Sequence, residues 1–161
     1  MNNFMALEAD VLVDHSVPAA AERDLVAALA GAGVTAHSKV VPTRRGAEQL
    51  HWLVLVVIPL QAFLQAVGEA AAAEAWAGVK GAVRRLSGRQ APAGGRPVML
   101  QDFGTGLQII LPPDLSEDGY RRLTQLDLTT FTCGPVRFDR ERCEWISDLD
   151  EARGDDATDP E

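Results

Sequence analysis

The sequence predicts an α+β, or mixed α/β, fold: a single sheet of about five to seven strands with two or three helices packed on it. Three observations predict this fold. The chain has 161 residues, of which 47% are apolar and 24% charged, as expected for one globular domain. Short alternating or apolar runs typical of strands recur between segments with helical spacing. Glycine and proline residues separate these segments. The predicted order is β-α-β-β-α-β-β-α-β-β.

The first three segments predict a strand, a helix and a second strand. Leu7 to Val13 alternates apolar and polar residues, as half-buried strands do. A helix with an apolar stripe follows, and Asp14 or Ser16 is expected to cap its start. Val34 to Val41 predicts the second strand. The helix between these two strands can form a parallel crossover.

The centre of the chain predicts its most apolar strand and its longest helix. His51 to Ile58 is rich in valine and isoleucine, which suits a buried strand. Pro59 begins a turn into a helix over Leu60 to Leu86. Gly68 and Gly78 are points where this helix can bend, because glycine has a low helix propensity.

After a glycine- and proline-rich connector, the chain predicts two hairpins with a helix between them. The four strands are Val98 to Phe103, Leu107 to Leu111, Val136 to Phe138 and Cys143 to Ile146. Asp114 and Glu117 have the spacing of a capping box, which predicts a helix that ends near Leu126.

The charge distribution predicts a globular domain over residues 1–147 and a disordered acidic tail over residues 148–161. The formal net charge is −8, and the tail alone holds seven acidic residues and one arginine. A segment with this composition does not bury enough apolar surface to order itself. The acidic character of the chain therefore comes mainly from its tail.

Cysteine usage and the beginning of the sequence indicate a cytoplasmic protein. Cys133 and Cys143 are too few for a disulfide framework, and residues 1–10 lack the basic and apolar parts of a secretory signal. A competing interpretation is a membrane-attached regulator, because Gln49 to Gly68 contains no charged residue. Pro59 at its centre and its glutamines favour a strand and a helix instead.

The sequence contains no motif that specifies a chemistry, and it predicts no cofactor and no metal site. Asp14, His15 and Ser16 form a triad-like string, but triad members meet in space and are rarely sequence neighbours. A small enzyme with a site near Asp14 and His15 remains an alternative hypothesis. Helix capping explains the same residues.

Basic residues cluster near the end of the predicted long helix and in the connector after it. They are Lys80, Arg84, Arg85, Arg89 and Arg96. This basic patch is the predicted partner-binding site. The acidic net charge and the lack of interleaved aromatic residues argue against nucleic acid and favour a protein partner. Alternatively, the acidic tail folds back on the patch and screens it.

Several segments in order resemble a known protein family. They are the run Trp52 to Val57, an alanine-rich helix containing Trp76, and the hairpin that begins at Val98. Over about residues 5–127 this arrangement resembles the small effector-associated constant components of actinobacterial conflict systems. The resemblance implies a non-enzymatic accessory protein that binds an effector or peptidase component, and it implies no catalytic residue. We therefore expect a small adaptor.

Overall fold

The computed structural model describes residues 7–41, 53–69, 72–88, 97–112, 115–132 and 134–156. These residues form one mixed sheet of seven strands together with five α-helices and a short 3-10 helix at Leu128–Thr130, which confirms the predicted fold class. The prediction of two or three helices is too low. The strands are β1 (Leu7–Asp14), β2 (Val34–Val41), β3 (Val54–Ile58), β4 (Val98–Asp102), β5 (Gln108–Leu111), β6 (Val136–Asp139) and β7 (Glu144–Ser147). The helices are α1 (Ala19–Gly31), α2 (Leu60–Gly68), α3 (Ala73–Gly88), α4 (Glu117–Thr124) and α5 (Asp148–Asp156).

The strands lie in the spatial order β2-β1-β3-β4-β5-β6-β7. Strands β1 and β2 are parallel, so α1 makes the predicted crossover. Strands β3 and β4 are also parallel, and α2 and α3 connect them. The pairs β4–β5 and β6–β7 are antiparallel, which confirms both predicted hairpins.

Alternate residues of the central strands form the floor of the main core. The register aligns Val13, Val54, Val98 and Leu111 across four strands, and each is at most 2% exposed. The apolar sides of α1 to α4 cover this face of the sheet in one continuous cluster. Burial of this apolar surface holds the helices in place.

The predicted long helix is two helices in the structure. α2 ends at Gly68 and α3 begins at Ala73. A Cβ at Gly68 would lie 3.2 Å from the Cβ of Thr124, so the end of α2 approaches α4 closely. Glycine permits this approach and weakens the helix at the same position.

Two predicted caps differ from those observed. The residue that precedes α1 is Pro18, which provides no side-chain cap, and the carboxylate of Asp14 accepts the backbone N–H of Ser16 at 2.9 Å instead. At α4 the hydroxyl of Ser116 accepts the N–H of Gly119 at 3.1 Å, whereas Asp114 lies outside the described residues. The predicted residues have side chains that can cap a helix. Which of several such residues does so depends on the local backbone conformation.

The expectation that disorder begins at residue 148 is wrong for the first part of the acidic tail. α5 forms over Asp148–Asp156, and residues 157–161 lie outside the described residues. Asp148 pairs with Arg137, and Glu151 pairs with Arg142. Acidic residues in the first turn also complement the helix dipole.

One carboxylate joins the β4–β5 turn to the start of α2. Oδ1 of Asp102 accepts the backbone N–H of Leu60 at 2.9 Å, and Oδ2 accepts both the N–H and the hydroxyl of Thr105 at 2.9 Å. Burial of Asp102 favours its protonated form, but these hydrogen bonds outweigh that effect and lower the pKa of the carboxyl below its usual value. Asp102 therefore caps α2 although it lies 42 residues further along the chain, at the end of β4.

We expect Asp102→Ala to lower the free energy of unfolding by about 1–2 kcal/mol, because α2 loses its capping acceptor. Urea unfolding monitored by circular dichroism measures this change. Asp10→Ala, at an exposed strand position, is the control and should change the stability by less than about 0.5 kcal/mol. Equal effects of the two substitutions would contradict the capping role.

The contribution of Asp102 should disappear in acid. Its pKa is lower in the folded than in the unfolded state, so the carboxylate stabilises the fold above the unfolded pKa, and protonation removes this stabilisation. The stability difference between the wild type and Asp102→Ala should stay constant from pH 7 to about pH 5 and shrink below about pH 4. Urea unfolding across this pH series measures it. A difference that grows in acid would show that the pKa is raised.

Candidate functional site

A cleft of about 460 Å³ opens where α2, α3 and α4 meet. We call it the three-helix cleft. Its lining residues are Val67, Gly68, Glu69, Ala73, Trp76, Lys80, Glu117, Asp118, Arg121 and Thr124. Its apolar residues come from α2 and α3, and most of its charged residues come from α4.

Trp76 is the large aromatic residue that lines this cleft. Its ring makes edge-to-face contacts with Phe63 of α2 and Tyr120 of α4, at centroid distances of 6.3 and 5.9 Å. Trp76 is 8% exposed, and Phe63 and Tyr120 are each 1% exposed. Contacts of this kind add to the energy of aromatic burial, so the three rings fix the relative positions of the three helices.

Charged side chains of α3 and α4 pair across the rim of the cleft. Glu117 accepts hydrogen bonds from Nζ of Lys80 at 2.9 Å and from Nη2 of Arg84 at 2.5 Å. These two hydrogen bonds lower the pKa of the Glu117 carboxyl. Glu117 is therefore ionised at neutral pH and bridges two basic residues of the neighbouring helix.

A second set of ion pairs lies within α4. Asp118 accepts hydrogen bonds from Arg122, at 2.8 Å, and from Arg121. Their hydrogen bonds lower the pKa of Asp118, with Arg122 making the larger contribution. The spacings of three and four residues place all three side chains on one side of the helix. This side of α4 thus carries fixed charges of both signs.

Tyr120 lies beneath the basic residues of α3. The guanidinium of Arg84 lies 5.3 Å from the centroid of the Tyr120 ring, and Nζ of Lys80 lies 6.0 Å from it. Cations at these distances are attracted to the face of an aromatic ring. Burial raises the pKa of the Tyr120 hydroxyl, so the phenol stays neutral.

The structure brings together only part of the predicted basic patch. Lys80 and Arg84 meet at Glu117, whereas Nε of Arg85 lies 4.0 Å from the carboxylate of Asp24 on α1. Arg85 also lines a separate cavity of about 140 Å³ beside Ser16, Val17, Pro18, Ala21, Leu53 and Leu86. Arg89 and Arg96 lie outside the described residues. The described residues of the patch therefore pair with two different helices: Lys80 and Arg84 with α4, and Arg85 with α1.

The string from Asp14 to Ser16 forms the turn between β1 and α1. Oδ1 of Asp14 accepts the backbone N–H of Ser16 and lies 3.2 Å from Nδ1 of His15. The Asp14 side chain is 6% exposed and that of His15 is 58% exposed. The carboxylate is thus directed at its own turn, as an Asx turn requires.

The acidic half of the cleft is not among the residues predicted from the sequence. Glu117 is predicted only as part of a capping box, and Asp118 has no predicted role. One signal could have found this surface: acidic residues at 117 and 118 precede Arg121 and Arg122 at helical ion-pair spacing. The contact of α4 with α3 depends on tertiary structure, which helical spacing does not indicate.

Two other kinds of site are absent from the described ranges. No three histidine, cysteine, aspartate or glutamate side chains there are grouped as metal ligands. None of the described helices is long and apolar enough to cross a bilayer. The described part of Gln49 to Gly68 forms β3 and α2, and residues 49–52 lie outside the described residues.

We expect aromatic packing to stabilise this region much more than its ion pairs. Trp76→Ala should lower the free energy of unfolding by about 3–5 kcal/mol, because it leaves a cavity between three helices. Glu117→Ala should lower it by less than about 1 kcal/mol, because the Glu117 side chain is 64% exposed. Urea unfolding of both variants measures the two changes.

Glu74→Ala is the matched control for Glu117→Ala, because each substitution removes an acidic residue from the first turn of a helix. The difference between these two variants isolates the pairing with Lys80 and Arg84. If Glu117→Ala lowered the free energy of unfolding as much as Trp76→Ala, aromatic packing would not be the larger contribution.

The sequence matches no protein-family model, and no curated protein or solved structure matches it.

Proposed function

We propose that this protein is a small non-enzymatic adaptor that binds a segment of a protein partner in the three-helix cleft. The resemblance of residues 5–127 to effector-associated components supports a role in a bacterial conflict or signalling system, with an effector or peptidase component as the partner. Cysteine usage supports a cytoplasmic location.

The observation that carries the proposal is the composition of the cleft. Trp76 and Val67 are apolar residues that line the cleft while only 8% and 2% exposed, and the surrounding side chains carry charges of both signs. Protein interfaces typically combine a buried apolar anchor with a polar rim. The cleft volume of about 460 Å³ also falls in the range of ligand sites, about 300–1,000 Å³.

The state of the charged groups favours binding over catalysis. Lys80 and Arg121 hold the carboxylates of Glu117 and Asp118 in ion pairs, and the pKa values of both acids are lowered. A general acid near neutral pH needs the opposite shift. The hydroxyl of Thr124 donates to the backbone carbonyl of Arg121 at 2.7 Å. The charged groups of the rim support contacts with the polar residues of a bound segment.

Selection from a displayed library of random peptides tests this proposal, because the cleft itself then selects its ligands from many sequences. We expect the selected peptides to share an apolar residue that inserts beside Trp76. Ala73 is exposed and lines the cleft, so Ala73→Trp should fill the opening without disturbing the core. Binding to this variant should weaken by at least about tenfold in fluorescence anisotropy.

Ala27→Trp is the matched control, since Ala27 is an exposed alanine of α1 that does not line the cleft. It should bind the selected peptides with the affinity of the wild type. Enrichment of no peptide, or equal binding to Ala73→Trp and the wild type, would overturn the proposal.

A further inference from the structure

The acidic helix α5 is held against the β6–β7 hairpin by arginine side chains. Nε and Nη2 of Arg137 donate to the two carboxylate oxygens of Asp148, each at 2.8 Å. Nη1 of Arg142 donates to Oε1 of Glu151 at 2.5 Å. Two parallel hydrogen bonds from one guanidinium are the geometry by which proteins recognise carboxylates. We call Arg137 and Arg142 the arginine pair.

Polar contacts, and not apolar burial, hold α5. Besides the ion pairs, Oδ2 of Asp150 accepts the backbone N–H of Thr132 at 2.8 Å, and the backbone N–H of Asp150 donates to the Ser147 hydroxyl at 3.3 Å. Leu149, its large apolar residue, is 54% exposed, and Ala152 is also exposed. The four paired side chains are between 44% and 62% exposed. Ion pairs this exposed contribute little stability and weaken as salt is added. A nine-residue helix is marginal without packing, so α5 can leave the hairpin without disrupting the core.

The spacing of the two carboxylates matches the arginine pair. Asp148 and Glu151 are three residues apart and therefore lie on the same side of α5. Other charges surround Arg142, whose guanidinium lies 3.9 Å from Asp139 and 4.0 Å from Glu144. Arg137 makes both hydrogen bonds to Asp148, so it provides the two-pronged part of the recognition of an incoming carboxylate.

We propose that the arginine pair is a second docking site, which takes an acidic helical segment of a protein partner with two carboxylates three residues apart. α5 is the built-in occupant of this site, and the partner segment displaces it. The structure itself shows the chemistry of recognition, because α5 occupies the site in the manner expected of the partner. The site lies on the β6–β7 hairpin and shares no residue with the lining of the three-helix cleft.

A fluorescein-labelled peptide with the sequence of residues 147–156 tests the proposal on the full-length chain. The double variant Asp148→Lys with Glu151→Lys removes both ion pairs between α5 and the arginine pair, which should make the arginine pair accessible. We call it the release variant. The peptide should bind it at least about tenfold more tightly than the wild type in fluorescence anisotropy. Added salt should weaken the binding.

Three controls decide the outcome. Glu8→Lys with Glu74→Lys changes the net charge equally at exposed positions away from the hairpin, and this variant should bind the peptide like the wild type. Adding Arg137→Glu to the release variant should abolish binding. A peptide with asparagine and glutamine in place of the two paired acids should not bind.

Equal affinity for the release variant and the wild type would overturn the proposal, as would an equal gain in the charge-matched control. Thermal unfolding by circular dichroism establishes that each variant is folded. The selection on the three-helix cleft uses different residues, so either proposal can fail while the other stands.

Discussion

The arrangement of the helices depends on the burial of Trp76. An indole ring buries more area than most side chains, and here three helices are needed to enclose it. α2 supplies Phe63 and α4 supplies Tyr120, and the division of the predicted long helix into α2 and α3 lets both rings reach the indole. The three-helix cleft lies where these helices converge on one ring, and ion pairs between α3 and α4 cross its rim.

The same packing explains the charge pairing above it. Tyr120 positions α4 beneath the basic side of α3, so Arg84 and Lys80 lie over its ring and meet Glu117. Basic residues that look like one patch in the sequence are therefore engaged by separate neighbours. Because each basic residue is paired with an acidic neighbour, these residues make the rim polar but create little positive surface potential.

Elements specified by local pattern were predicted well from the sequence, and those that depend on tertiary contacts were not. The alternation of Leu7 to Val13 and the turn residues of the two hairpins act over a few positions, and the structure contains these strands close to their predicted bounds. The break after Gly68 lies where α2 approaches Thr124 of α4, and α5 lies where Asp148 pairs with Arg137 of β6. Each contact joins residues of two different elements. The cleft shares this dependence, because its acidic residues face α3 only once the chain is folded.

The cap that Asp102 provides has a consequence for folding kinetics. The carboxylate and the Leu60 N–H that it accepts are 42 residues apart, so the contact cannot form until β4 lies beside β3. A contact between residues far apart in sequence costs the conformational entropy that is lost when a long loop closes. Such a contact forms late in folding when other contacts must first bring its residues together. α2 therefore remains uncapped through the early stages of folding, and the carboxylate slows unfolding more than it speeds folding.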